Sequence, residues 1–223
     1  MSPDASPADS TRRDERPQDP LGYERRFWGR GHSWVAGVDE AGRGPLAGPV
    51  VAAVVVLSPD VEVDGATDSK KLSPSRREEL ASRILEVALA VRIGAASVRE
   101  IDDMNILRAT ARAMDRAVRG LPRPPEQVVV DGLPVKGVEW THEAVVGGDA
   151  LVHSIACASI VAKVCRDRLM RRLAERYPAY GWRTNVGYGT PAHLRALREL
   201  GPSPHHRLSF RPNQLSLELE LDS

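Results

Sequence analysis

Polar residues dominate the start of the chain. Pro, Asp, Ser and Arg fill most of the first 32 positions, with almost no apolar residue before Leu21, Tyr23 and Phe27. So little apolar surface cannot offset the entropy of ordering a chain, and residues 1–32 are expected to form a disordered extension. The pattern changes at Trp34. WVAGVDEAGRGPLAGPVVAAVVVL reads as a strand, a Gly/Pro-rich loop and a second strand, and the unbroken Val/Ala run of the second implies burial on both faces. The two form a hairpin.

Ser73-Pro74 is a helix-start signature, and Leu80, Ile84, Leu85, Val87 and Ala88 follow at helical spacing, so a helix is expected over 74–89. Residues 91–98 (VRIGAASV) give a third strand. DDMNILRATARAMDRAVRG then carries Ile106, Leu107, Ala111, Met114 and Val118 on one helix ending at Gly120. EQVVVDG is a fourth strand ending at Asp131, and HEAVVGGD a fifth ending near Asp149. A long helix over 154–176 is apolar in SIACASIVA and basic in RDRLMRRLAER, so one half packs and the other meets solvent or a polyanion. Tyr177-Pro178 ends it, GWRTNVGYGT is a loop, Thr190-Pro191 opens a helix through Leu200, and one more short helix can follow. Strands alternating with helices after a hairpin define an α/β layer fold with a mixed sheet.

The 223 residues suffice for one sizeable core. No apolar run reaches the about 20 residues of a membrane span, the longest being residues 50–57, and the N-terminus lacks a signal-peptide pattern, so a cytoplasmic protein is expected. Cys157 and Cys165, eight residues apart on one helix, stand ~12 Å apart; they cannot pair, lack zinc-ligand spacing, and are read as packing residues. The net charge of +1 announces no nucleic-acid partner, although basic residues crowd 166–176 and 205–211, and an acidic tail (212–223) closes the chain. Arg166, Arg168, Arg171, Arg172 and Arg176 are expected to attract phosphates without regard to sequence or sugar.

Chemistry concentrates at strand ends. Asp39 and Glu40 end the first strand, Asp131 the fourth, and Asp149 follows the fifth. Strand ends of open α/β sheets line the functional crevice, so neighbouring strands would bring these acids together. Clustered carboxylates raise one another's pKa unless a cation intervenes, and an all-oxygen set favours Mg²⁺ or Mn²⁺. Paired ions ~3.5–4 Å apart activate water and stabilise a leaving oxygen, which implies metal-assisted phosphoryl transfer. Acids at strand ends also serve as ordinary turn and cap residues. Gly42-x-Gly44-x-x-Ala47 mimics a dinucleotide fingerprint but opens a strand rather than a helix, and no GxxxxGK[ST] accompanies VVVD.

GVDEAGRGPLAGPVVAAVV, DSKKLS, NIL, VVVDG, GGDA with SIACASIVAKVCRD, VGYGT and HHRLSF, in this order over about residues 35–210, resemble the ribonuclease HII family. The resemblance implies an RNase H-like mixed sheet flanked by helices with a helical C-terminal extension, residues 33–211 forming the catalytic domain. It implies an endonuclease that cuts the RNA strand of RNA/DNA hybrids, and cuts at single ribonucleotides in a DNA duplex, by two-metal-ion hydrolysis as a monomer. By the same resemblance Asp39, Glu40 and Asp131 match metal ligands and Asp149 a fourth active-site carboxylate. Gly42, Arg43 and Gly44 match a loop that reads the 2′-hydroxyl through backbone atoms, and Tyr188 a ring packed on the neighbouring sugar. Ser159 and Lys163, one turn apart on the matching helix, are candidate substrate contacts, with structural roles open to both.

Two positions depart from the family pattern. Gly147 and Val186 stand where lysines are frequent, which implies weaker substrate binding with the acids intact. Two other readings stand beside this one: a related RNase H-like nuclease acting on another DNA structure, which need not keep GRG and Tyr188, and a non-catalytic nucleic-acid-binding module, which would lack one or more of the acids, whereas all four positions are filled here.

Overall fold

The computed structural model describes residues 19–210; the acidic tail and the first 18 residues lie outside them. Five strands, β1 (Val35–Ala41), β2 (Val50–Val56), β3 (Ala90–Ala96), β4 (Gln127–Asp131) and β5 (Glu143–Val145), form one sheet in the order β3-β2-β1-β4-β5. The β1–β2 hairpin and the β2–β3 pair are antiparallel, while β1–β4 and β4–β5 are parallel, so the sheet is mixed as expected.

The two-residue period of β2 explains its unbroken apolar run. Val50, Ala52, Val54 and Val56 face helix α4 (Ile106–Arg119), packing with Ala113, Met114 and Ala117. Ala53, Val55 and Leu57 face α2 (Pro74–Val87) and the long α6 (His153–Arg176), meeting Leu80, Ile84, Cys157 and Ile160. A central strand covered on both sides has no place for a polar residue. α6 lies close on β1 because Gly37 makes room: a Cβ there would stand 2.3 Å from the Ser154 carbonyl carbon. The second half of α6 departs from the sheet and packs Met170 and Ala174 against Tyr180, Trp182 and Ala196, the last on α8 (Pro191–Leu200). This is the expected helical C-terminal part.

Several boundaries differ from expectation. The helix read over 102–120 is two, α3 (Val98–Met104) and α4, because Asn105 takes a positive φ of 73° and its side chain accepts from the Leu107 and Arg108 N–H groups. A side chain that caps a new helix ends the old one. The loop over 181–190 contains a short helix, α7 (Trp182–Asn185), and the final short helix is a 3-10 turn at Leu208–Phe210.

The largest correction concerns the N-terminal extension. From residue 19 the chain is ordered against the body, with α1 (Gly22–Trp28) burying Leu21, Glu24 and Phe27. Their three-residue spacing puts a narrow stripe on one helix face, which a count of apolar residues overlooks. Phe27 packs with Val35, Val129, Val152 and Ile155. Glu24 Oε1 accepts from the Ser154 N–H at 2.7 Å and so caps α6, whose own N-cap residue, Val152, contributes no side-chain acceptor. Phe27→Ala is therefore expected to destabilise by about 3–5 kcal/mol. Deleting residues 1–32 should lower the melting temperature sharply, whereas deleting 1–18 should not; equal melting curves for both truncations would show that α1 contributes nothing.

Candidate active site

The parallel pairing of β1 and β4 builds the first half of the site. Val38 pairs with Val130, so the next residues, Asp39 and Asp131, come side by side where the strands end. Asp39 is buried, and its Oδ1 accepts from the Glu40 N–H at 2.6 Å. Burial first, then the charges of Glu40 and Asp131, raise the Asp39 carboxyl well above the usual range, and the hydrogen bond from the Glu40 N–H works the other way.

Asp149 reaches the same place by a different route. It sits not at a strand end but on α5 (Gly148–Leu151), a four-residue helix entered through Gly147, whose φ of 68° turns the chain out of β5. The Gly148 N–H donates to Asp131 Oδ1 at 2.7 Å, tying this turn to β4. Burial, then Asp68 and Asp131, raise the Asp149 carboxyl, while Lys70 opposes the shift.

Asp68 and Lys70 also belong to the cluster, although neither is among the residues expected there individually. Asp68 caps the 3-10 turn Ser69–Lys71 through the Lys70 N–H at 2.9 Å. Lys70 Nζ stands 3.9 Å from Asp149 Oδ2 and 4.0 Å from Asp68 Oδ1, with its side chain 81% exposed. Partial burial works against its charge, but Asp68, Asp149, Asp39 and Asp131 together raise its pKa. In the sequence Asp68 and Lys70 both lie in DSKKLS, one of the motifs that carry the family resemblance, with Ser69 between them.

Of the remaining candidates, Ser159 is buried and donates to Ser69 Oγ at 2.9 Å, docking this loop on α6. Lys163 pairs with Asp167 at 2.8 Å. Arg43 is exposed and ion-paired with Glu40 at 3.2 Å, worth little in water. Gly42 needs to be glycine twice over, since its φ is +94° and a Cβ would lie 2.0 Å from Arg166 Nε. Gly44 lies against the Tyr188 ring, whose Cε1 would stand 3.6 Å from a Cβ at Gly44, and Tyr188 is 47% exposed. The His193 ring hydrogen-bonds the Tyr188 carbonyl through Nδ1 at 2.8 Å, fixing its turn.

The basic half of α6 does not meet a polyanion as a whole. Arg166 is buried, and Arg168 and Arg171 are both paired with Glu78 of α2. Arg166 has its own partners inside the protein, described below.

As to a metal, the donor set is all oxygen and mutually repelling, which fits a hard divalent cation. Among the described residues no three His, Cys, Asp or Glu side chains already stand as a ligand set for one ion. Asp39 and Asp131 each accept a hydrogen bond from a backbone N–H, Asp39 from Glu40 and Asp131 from Gly148.

A mixed sheet whose parallel strand ends gather carboxylates beneath one long crossing helix defines the ribonuclease H class of fold. Solved members share it: ribonuclease H2 of Pyrococcus horikoshii superimposes with a TM-score of 0.69 at 27% identity, over 85% of this chain and all of that one. The Archaeoglobus fulgidus RNase HII, solved in complex with PCNA, gives 0.68 at 28% identity, over 81% and 95%. The ribonuclease HII family model matches residues 36–213, and the chain belongs to that family. The ribonuclease HII of Cereibacter sphaeroides is 55% identical over 191 residues, 85% of this chain and 90% of that protein, and that of Thermosynechococcus vestitus 51% over 201 residues, 89% and 94%. The chain is thus an enzyme, a hydrolase with ribonuclease H endonuclease activity. Among the described residues no helix is long and apolar enough to cross a membrane.

Proposed function

We propose that the strand-end carboxylates Asp39, Glu40, Asp131 and Asp149 are the catalytic centre of an endonuclease acting on the RNA strand of RNA/DNA hybrids and at single ribonucleotides within a DNA duplex. One observation carries the reading: buried Asp39 is held in the field of Glu40 and Asp131, and the exposed Gly44–Tyr188 contact flanks the same end of β1. Asp39, Glu40 and Asp131 would hold Mg²⁺ or Mn²⁺, a cation that neutralises the cluster, helps ionise a water and stabilises the leaving oxygen. Asp149, with Lys70 beside it, orients water and the departing group. Lys70, long and exposed, neutralises phosphate charge at the rim. The Arg43 and Gly44 backbone senses a 2′-hydroxyl, the chemical difference between RNA and DNA, and the Tyr188 ring packs on the adjoining sugar.

The protein acts as a monomer in the cytoplasm under this reading. The test is incubation with Mg²⁺ or Mn²⁺ of three duplexes: a long hybrid, DNA carrying one ribonucleotide, and plain DNA. Cleavage of the first two and not the third is expected. Cleavage of plain DNA at a similar rate would overturn the substrate assignment and favour a nuclease for another DNA structure.

A further inference from the structure

The loop at residues 42–49 is held from behind by two buried arginines. Arg166 of α6 and Arg207, which follows α8, are each 1% exposed, and their hydrogen bonds go to backbone carbonyls rather than to carboxylates. Arg207 donates from Nε to Gly48 O at 2.9 Å, from Nη1 to Arg43 O at 2.9 Å and from Nη2 to Gly42 O at 2.6 Å. Arg166 donates from Nε to Pro49 O at 3.0 Å, from Nη2 to Ala47 O at 3.0 Å and from Nη1 to Val186 O at 2.9 Å. Each guanidinium nitrogen thus has a separate carbonyl.

Geometry gives these bonds a consequence. In a trans peptide the C=O and the N–H of the same unit point in opposite directions. Drawing the Gly42 and Arg43 carbonyls inward therefore turns the N–H groups of Arg43 and Gly44 outward, at two residues that are exposed. The Val186 bond fastens the other side: Val186 has a φ of 43°, which a β-branched residue adopts only when its surroundings impose it, and it stands two residues before Tyr188. The Leu46 N–H donating to Gly187 O at 2.8 Å closes the same junction. Two like charges held side by side indoors are costly. Burial and then the Arg166 charge push the Arg207 guanidinium downward, so simple packing would be better served by apolar residues.

We propose that Arg166 and Arg207 are positioning residues for 2′-hydroxyl recognition: they aim the Arg43 and Gly44 N–H groups at the ribose and set the spacing between Gly44 and the Tyr188 ring. The inference rests on the reading of that loop given above. It differs from a stability role in what it predicts for substrates.

Arg207→Lys and Arg166→Lys keep the charge but replace a planar fork of three nitrogens by one ammonium nitrogen that cannot reach three separated carbonyls. In the full-length protein, assayed below its melting temperature on duplexes carrying one ribonucleotide or one 2′-fluoro nucleotide, Arg207→Lys should lose about 100-fold in kcat. Its KM and salt dependence should change little, and its preference for the ribonucleotide should shrink. If wild type shows no preference, the reading of the loop fails. If wild type discriminates and a folded Arg207→Lys protein does so equally, the positioning role fails and the loop reading stands. Should both variants fail to fold, amide resonances of the wild-type enzyme decide: Arg43 and Gly44 should shift with the ribonucleotide duplex far more than with its all-DNA counterpart, and unmoved amides overturn the proposal.

Discussion

Asp39→Asn is expected to abolish cleavage, lowering kcat by ~1,000-fold or more, while the protein melts at the same or a higher temperature. The loss follows from the charge: an amide in place of the carboxylate is a poor partner for a hard cation, and several kcal/mol of transition-state stabilisation go with it. The gain follows from the surroundings. Asp39 is buried beside Glu40 and Asp131, and removing its charge relieves both desolvation and repulsion. Shape changes little, because Asn retains the oxygen that accepts from the Glu40 N–H. Asp131→Asn should also abolish cleavage, though its stability gain should be smaller because Asp131 is less buried. Single-turnover rates with Mg²⁺ beside melting curves check both; a variant with near wild-type turnover would remove Asp39 from the catalytic centre.

Tyr188→Ala is expected to reduce cleavage at a lone ribonucleotide by about 100-fold through misplaced reacting atoms, while Tyr188→Phe retains most activity. The ring, not the turn, is the variable. Tyr188 is 47% exposed, so truncation leaves no core cavity, and its carbonyl stays held by His193, which is bonded in turn to His206 and Trp182. By contrast Arg171→Ala should mainly raise KM and do so modestly, because that guanidinium is already engaged by Glu78. Comparing the three variants on a single-ribonucleotide duplex across a salt series separates sugar recognition from phosphate attraction. Unchanged turnover in Tyr188→Ala would contradict this division.

What the sequence discloses is what local pattern determines. The β1–β2 hairpin follows from a Gly/Pro loop between apolar runs, and the meeting of Asp39 with Asp131 follows from two strands ending in acids. Asp149 stands in the field of Asp131 but on a short helix rather than at a strand end, since nothing in VVGGD shows that Gly147 turns the chain into a helix before the acid. Asn105 breaks a helix through φ and a side-chain cap that apolar periodicity does not register. Phe27 and Glu24 escaped because their packing surfaces, Val129 and Ser154, lie far away in sequence. Arg166 misled for the opposite reason. A basic run reads as solvated until the structure shows carbonyls of residues 47, 49 and 186 awaiting one of its members.

The central claim is that repulsion among the strand-end carboxylates is the feature a divalent cation resolves. A carboxyl whose folded pKa is raised contributes its stability below the unfolded pKa and loses it as pH rises through the folded one, so at neutral pH Asp39 destabilises the cation-free protein. The direct measurement is the melting temperature of wild type and Asp39→Asn at neutral pH, with chelator and with Mn²⁺, in the absence of nucleic acid. The predicted result is a wild type that melts at or below the variant in chelator and rises with Mn²⁺, while the variant responds weakly. A wild type indifferent to Mn²⁺, or a variant that gains as much from it, would contradict the claim.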